Sequence, residues 1–153
     1  MNHFLHLARF YYTASRMPEY LAPLFDLGLR LFIANVFFKS GLTKIQNWDS
    51  TLYLFNEVYT VPLLPPEFAA YLASGAELGL SVLLALGLLG RFAAAGLSIL
   101  NVVAVISYAE LSECGISHHL YWGLLLAVLL IFSRGAWSLD AWLETRLQKS
   151  ALM

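Results

Sequence analysis

Residues 67–89 read EFAAYLASGAELGLSVLLALGLL. Between Glu67 and Arg91 a single side chain, Glu77, is charged at neutral pH. At about 1.5 Å per residue, a helix of this length crosses a hydrocarbon core of about 30 Å. Three further stretches have the same character, about 22–42, 92–110 and 118–134. The whole chain agrees with this reading. Of its 153 residues, 59% are hydrophobic and 12% charged, where a soluble domain carries about 25% charge. The expected fold class is all-α, a polytopic membrane protein built as a four-transmembrane-helix bundle with short interfacial helices, forming one membrane domain over 1–153.

Local punctuation separates the four spans. Leu89-Gly90-Arg91 makes a tight turn with a charge at its end, and Pro62, Pro65 and Pro66 break the chain before the second span. Trp48, Tyr53, Tyr121, Trp122 and Trp137 stand where interfacial aromatic belts belong. Three amphipathic segments, about 3–16, 49–60 and 138–149, are read as surface-lying helices. In the last of them, Leu139, Trp142, Leu143 and Leu147 form one stripe. Residues 1–20 lack the basic start and long apolar centre of a cleavable signal.

Lys and Arg set the expected orientation. Arg9, Arg16, Arg91, Arg134, Arg146 and Lys149 fall on one side, and Lys44 falls on the other. This predicts a multi-pass protein of the bacterial inner membrane with both termini cytoplasmic. Loops 43–66 and 111–117 then face outward.

Ionisable residues inside spans are costly and must find partners. Counted from the span ends, Arg30, Glu77 and Asn101 all fall near mid-depth. The expected structural charge pair is therefore Arg30 with Glu77, bridged by Asn101. Arg30, Lys39, Glu77, Asn101 and Tyr108 form the expected polar binding layer, with Lys39 and Glu110 near its outer mouth. At 100° per residue, Ser74, Glu77 and Ser81 share one face of the second span, while Gly75 and Gly79 form a small-residue groove on the other side.

Several functions are excluded by residue counts. A net charge of -1 offers no footprint for nucleic acid. One cysteine rules out an internal disulfide and the paired thiols of a quinone-linked dithiol oxidase. No metal site is assigned. Cys114, His118 and His119 are the residues from which copper or zinc would have to be held, but adjacent histidines on a helix point about 100° apart. A polar turn with an unpaired thiol is the preferred reading. No haem, flavin or dinucleotide motif is present.

Three segments together resemble the DoxX family of small four-span membrane proteins. Residues 30–44, RLFIANVFFKSGLTK, are similar to its Arg…Gly-x-x-Lys pattern. Residues 76–94, AELGLSVLLALGLLGRFAA, are similar to its Ala-Glu…Leu-Gly-Leu…Arg-x-Ala-Ala segment. Residues 133–140, SRGAWSLD, are similar to its Gly-x-x-Ser-x-Asp ending. The resemblance spans most of 25–140 and matches Arg30, Gly41, Lys44, Glu77, Arg91 and Asp140 to family positions. It implies a four-helix membrane bundle. The family is named after a subunit of a thiosulfate:quinone oxidoreductase. Other members are linked to membrane oxidoreductase assemblies and thiol stress, and some accompany gene sets for modified copper-binding peptides.

The functional expectation is a membrane subunit or accessory of a redox system, with quinone as the candidate cofactor and no complete catalytic site of its own. The alternatives are a non-enzymatic scaffold that anchors partners and an oligomeric small-solute carrier. Expected partners are the lipid bilayer, proteins in the membrane or on the outer face, and a second copy of the chain.

Overall fold

The computed structural model describes residues 2–108, 112–132, 135 and 137–151, with side chains described from residue 19 to residue 150. Among the described residues six helices follow one another: α1 Asn2–Gln46, α2 Trp48–Glu57, α3 Pro66–Leu86, α4 Gly90–Ser107, α5 Glu113–Phe132 and α6 Leu139–Ala151. No strand occurs among the described residues. Four segments are long and apolar enough to cross a membrane: Glu19–Gln46, Pro66–Leu86, Gly90–Ser107 and Glu113–Phe132. The four-span reading thus agrees, with ends moved by a few residues. Residues 3–16 are not set apart as a separate interfacial helix. They are the first part of α1, which runs unbroken from Asn2, and their side chains lie outside the described residues.

The bundle is a ring in which α1 packs on α3 and α5, α3 on α4, and α4 on α5. One apolar core runs through it, centred on Ile33, Phe37, Leu84, Leu97, Leu126 and Leu129. Outward-facing positions are also apolar: Ile99, Ile106, Leu124 and Ile131 are each more than half exposed. In water such a surface would be unstable, and in a bilayer it meets acyl chains. A second cluster joins Phe55 of α2 to Ala69 and Ala70 of α3, so α2 covers the first turns of α3 beyond the end of α1.

Gly41 decides how closely α1 and α3 approach. A Cβ there would sit 2.9 Å from Leu78 Cγ and 3.1 Å from Glu77 Cβ. Gly75 and Gly79 have nothing within 4 Å and open to the bilayer side, whereas Ser74 and Ser81 of the same helix are buried.

The turn from α3 to α4 is built with help from α6. Gly87 has φ +65, the Leu88 N–H donates to Leu83 O at 3.0 Å, and the Gly87 N–H donates to Leu84 O at 3.1 Å. This is a Schellman ending, which needs the left-handed conformation glycine adopts freely. Asp140 then accepts the Leu89 N–H at 3.0 Å and the Gly90 N–H at 3.1 Å, capping α4 from another helix. The Asp140 N–H donates to Gly87 O at 3.0 Å, and the Ser138 hydroxyl accepts from the Ala141 N–H at the start of α6. Asp140→Ala is expected to destabilise the protein by about 1 kcal/mol, the usual value of an N-cap acceptor. Thermal unfolding in mild detergent measures it, and an unchanged midpoint would show that the cap contributes nothing.

Candidate functional site

The polar residues of the bundle form two groups at two levels. The first lies in the half nearer α2. Lys44 Nζ donates to Glu77 Oε1 at 2.8 Å, to Glu77 Oε2 at 2.7 Å and to Ser40 Oγ at 2.8 Å. The side chains of Lys44 and Glu77 are 21% and 12% exposed. Ser40 and Lys44 stand one turn apart near the end of α1, and Gly41 between them brings α3 close enough for the pair to form. Thr51 of α2 donates its hydroxyl to Lys44 O at 3.0 Å, satisfying a carbonyl that the end of α1 leaves open.

Asn101 of α4 and His119 of α5 face each other in the same half. Asn101 Nδ2 donates to His119 O at 2.9 Å, and His119 Nδ1 pairs with Asn101 Oδ1 at 2.7 Å. The His119 ring meets Trp122 edge to face at 5.0 Å, and Trp122 in turn meets Phe37 at 6.2 Å. Tyr59, in the return from α2, meets Tyr108 edge to face at 5.5 Å. The Thr60 N–H donates to Ser107 O at 2.9 Å, which seats this return on the end of α4. The Ser107 hydroxyl is buried without a hydrogen-bond partner among the described residues.

Burial pushes the Tyr59 phenol above its ordinary value of 10.0, reinforced by Tyr108 and then by the Glu77 carboxylate. The neutral phenol is therefore the form the fold favours. Its contribution is fully present below about pH 10 and is lost as pH rises through the raised value. Tyr59→Phe is expected to remove part of the alkaline loss of stability, read as the change in melting temperature between about pH 9 and pH 11. An identical pH profile in the variant would refute this.

The second group lies at the α6 end. Arg30 is 1% exposed. Its Nε donates to Asp26 Oδ2 at 2.9 Å and its Nη2 donates to Trp137 O at 2.7 Å. Its Nη1 lies against Gly87 and has no hydrogen-bond partner among the described residues.

This arrangement corrects the expected Arg30–Glu77 pair. Arg30 stands level with Gly87 and Glu77 with Gly41, so ten residues of α3, about 15 Å, separate the two levels. Each charge has its own partner, Asp26 for Arg30 and Lys44 for Glu77. Depth counted from span ends misleads here because α2 and the return after it lift the start of α3 past the end of α1. Asn101 is buried but pairs with His119 and does not bridge the charges. Lys39 is exposed, turned out of the bundle and away from the polar layer. Tyr108 sits at the end of α4 beside Tyr59. Glu110 lies outside the described residues.

Cys114, His118 and His119 do not converge. Cys114 Sγ is 3.6 Å from His118 Nδ1 on the exposed face of α5, while His119 turns inward to Asn101. Among the described residues, no group of three or more His, Cys, Asp or Glu is placed to hold a metal ion.

Sequence reasoning missed Ser40, Tyr59 and the pairing of Lys44. A usable signal was Gly41, since a small residue in an apolar helix marks where a neighbour approaches. Lys44, three residues on, then faces the same helix.

A family model described as DoxX matches residues 25–110. An uncharacterized protein of Haemophilus influenzae is 34% identical over 131 residues, which cover 79% of this chain and 82% of the relative. No solved structure matches. The matched span runs from one residue before Asp26 through α4, and so contains Arg30, the Lys44–Glu77 pair, Asn101 and Tyr108. With four membrane-crossing helices in the arrangement described, the chain belongs to the DoxX family of small multi-span membrane proteins.

Proposed function

We propose that this chain is a membrane subunit or accessory of a redox system, and that it takes a quinone headgroup in the polar layer of the α2 half. The observation that carries this reading is the Lys44–Glu77 ion pair, largely buried within the spanning region. An ionisable pair at that depth is costly and, by default, marks a binding or proton-handling site. The same half of the bundle carries groups that suit a quinone: aromatic rings at Tyr59, Tyr108 and Trp122, and hydrogen-bonding groups at Asn101, His119 and the Ser107 hydroxyl. The chain would hold and orient the head and carry protons, while a partner protein exchanges electrons with it. By the Lys/Arg asymmetry, the α6 end faces the cytoplasm of a bacterial cell and the polar layer opens to the other side.

The test is extraction of lipophilic small molecules from protein purified in mild detergent. Quinone is expected at near-stoichiometric amounts in the unmodified chain and strongly reduced in Glu77→Gln. Purified protein without quinone would overturn the reading.

One observation favours a second reading, a non-enzymatic anchor for partner proteins. An ammonium has three donors, and all three of Lys44's are used by Glu77 and Ser40. The pair can therefore act as a lock between α1 and α3. Cross-linking through the α2 segment and the exposed Cys114 would then recover a defined partner. Recovery of none would remove this reading.

A further inference from the structure

A cavity of about 610 Å³ opens at the α6 end, between α1, the turn joining α3 to α4, and α6. Small-molecule sites have volumes of about 300–1,000 Å³. Arg30 and Arg91 line the cavity, and so do Asp140 and Glu144. Arg30 stands at its inner wall, 1% exposed, with Nη1 against Gly87. Asp26 and Trp137 O occupy Nε and Nη2, whereas the N–H groups of Nη1 have no acceptor among the described residues. A buried charged donor without an acceptor is costly, and an oxyanion is the group that would satisfy it. Arg91 is exposed at the mouth.

The opposite wall carries negative charge. Both oxygens of Asp140 already accept backbone N–H groups, but each retains a further lone-pair direction. Glu144, one turn along α6, is exposed and meets Gln148 at 3.4 Å. The cavity thus offers guanidinium groups and carboxylates together. That pattern fits a ligand with an oxyanion and an ammonium a few bonds apart, and it does not fit a simple anion.

The rim is apolar. Leu89 and Phe92, which line the cavity, are 58% and 64% exposed. They stand where α3 ends and α4 begins, which is headgroup level for helices of this length.

We propose that this cavity holds the headgroup of a phosphoethanolamine-type phospholipid. Its phosphate meets Arg30 Nη1 and Arg91, its ammonium meets Asp140 and Glu144, and its acyl chains leave past Leu89 and Phe92. The site is distinct from the polar layer near α2 and does not depend on the function proposed for that layer.

The test is native mass spectrometry of the full chain in mild detergent. It is titrated separately with dioleoyl phosphatidylethanolamine, with dioleoyl phosphatidylglycerol, and with soluble phosphoethanolamine. One ethanolamine lipid per chain is expected, retained about tenfold more strongly than the glycerol lipid, the discrimination of one well-placed charged contact. Arg91, whose Nη2 donates to Ile131 O at 3.4 Å, and Glu144 are both exposed, so Arg91→Gln and Glu144→Gln are expected to keep the fold, and each should lower retention of the ethanolamine lipid about fivefold. Arg30→Lys, which keeps a cation but loses the fork, should lower it further. Equal retention of the two lipids would overturn the proposal. So would variants at Arg91 and Glu144 that bind like the unmodified chain. Binding of soluble phosphoethanolamine without retention of the lipid would overturn the assignment to a membrane lipid.

Discussion

Lys44→Ala is expected to destabilise the detergent-solubilised protein by about 3 kcal/mol, the lower part of the range for removing one partner of a buried ion pair. The variant leaves the Glu77 carboxylate 12% exposed with no cation, and removes the donor that Ser40 accepts. Insertion scales put an uncompensated carboxylate in the bilayer at a similar cost. The double variant Lys44→Met, Glu77→Leu is expected to recover most of that loss. Two apolar side chains of similar size remove both charges, and such replacements are often neutral or stabilising. Reversible unfolding in mixed detergent, run as a double-mutant cycle, measures the coupling. If the double variant is as unstable as the sum of the two single changes, the pair is not coupled and the site described here is wrong. Stability and quinone content are separate readouts of the same residues. A stable double variant that has lost quinone supports a binding role for the pair. A stable double variant of a chain that never held quinone supports the anchor reading.

Arg30→Ala is expected to have an effect of similar or greater size, about 3–5 kcal/mol, at the other end of the bundle. Three losses add together there. Asp26 becomes a part-buried carboxylate without its cation, Trp137 O loses its donor, and a space opens beside Gly87. The Trp137 contact spans 107 positions in the chain and ties the approach to α6 to the middle of α1. Its loss should therefore release α6 as well as weaken the bundle. Limited proteolysis reads this directly: cleavage between α5 and α6 should appear in Arg30→Ala and stay rare in Asp26→Asn, where the Trp137 contact remains. Equal cleavage in both variants would show that Arg30 does not hold α6. Arg30→Lys should fall between the two, since one ammonium cannot reach both partners in the geometry of a planar fork.

The four spans were legible because bilayer thickness, hydropathy and the proline and glycine breaks act locally along the chain. Residues 67–89 show a span without reference to any other part of the molecule, and Leu89-Gly90-Arg91 shows the turn that ends it. That Ser74 and Ser81 share one face and Gly75 and Gly79 the other was legible for the same reason, since 100° per residue is a property of one helix; that nothing in the bundle packs on the two glycines was decided by the tertiary structure. Family membership was legible in the spacing of Arg30, Gly41, Lys44, Glu77, Arg91 and Asp140.

The pairing of charges was not legible in this way. Arg30 and Glu77 are opposite in sign and each is near the middle of its own apolar stretch, which made them natural partners when spans were aligned end to end. Tertiary structure decided otherwise. Vertical register between two helices depends on where small residues let them touch and on how much chain the connection uses. Gly41 sets the contact at Glu77 and Leu78, and α2 covers the part of α3 that α1 does not reach. The offset puts Lys44 beside Glu77 and leaves Arg30 at the turn, where Asp26, Trp137 O and the start of α6 surround it. Hydropathy settles along a single strand of sequence which segments enter lipid. Which charges then meet is a matter of relative displacement between helices, and that is fixed only when all of them are packed.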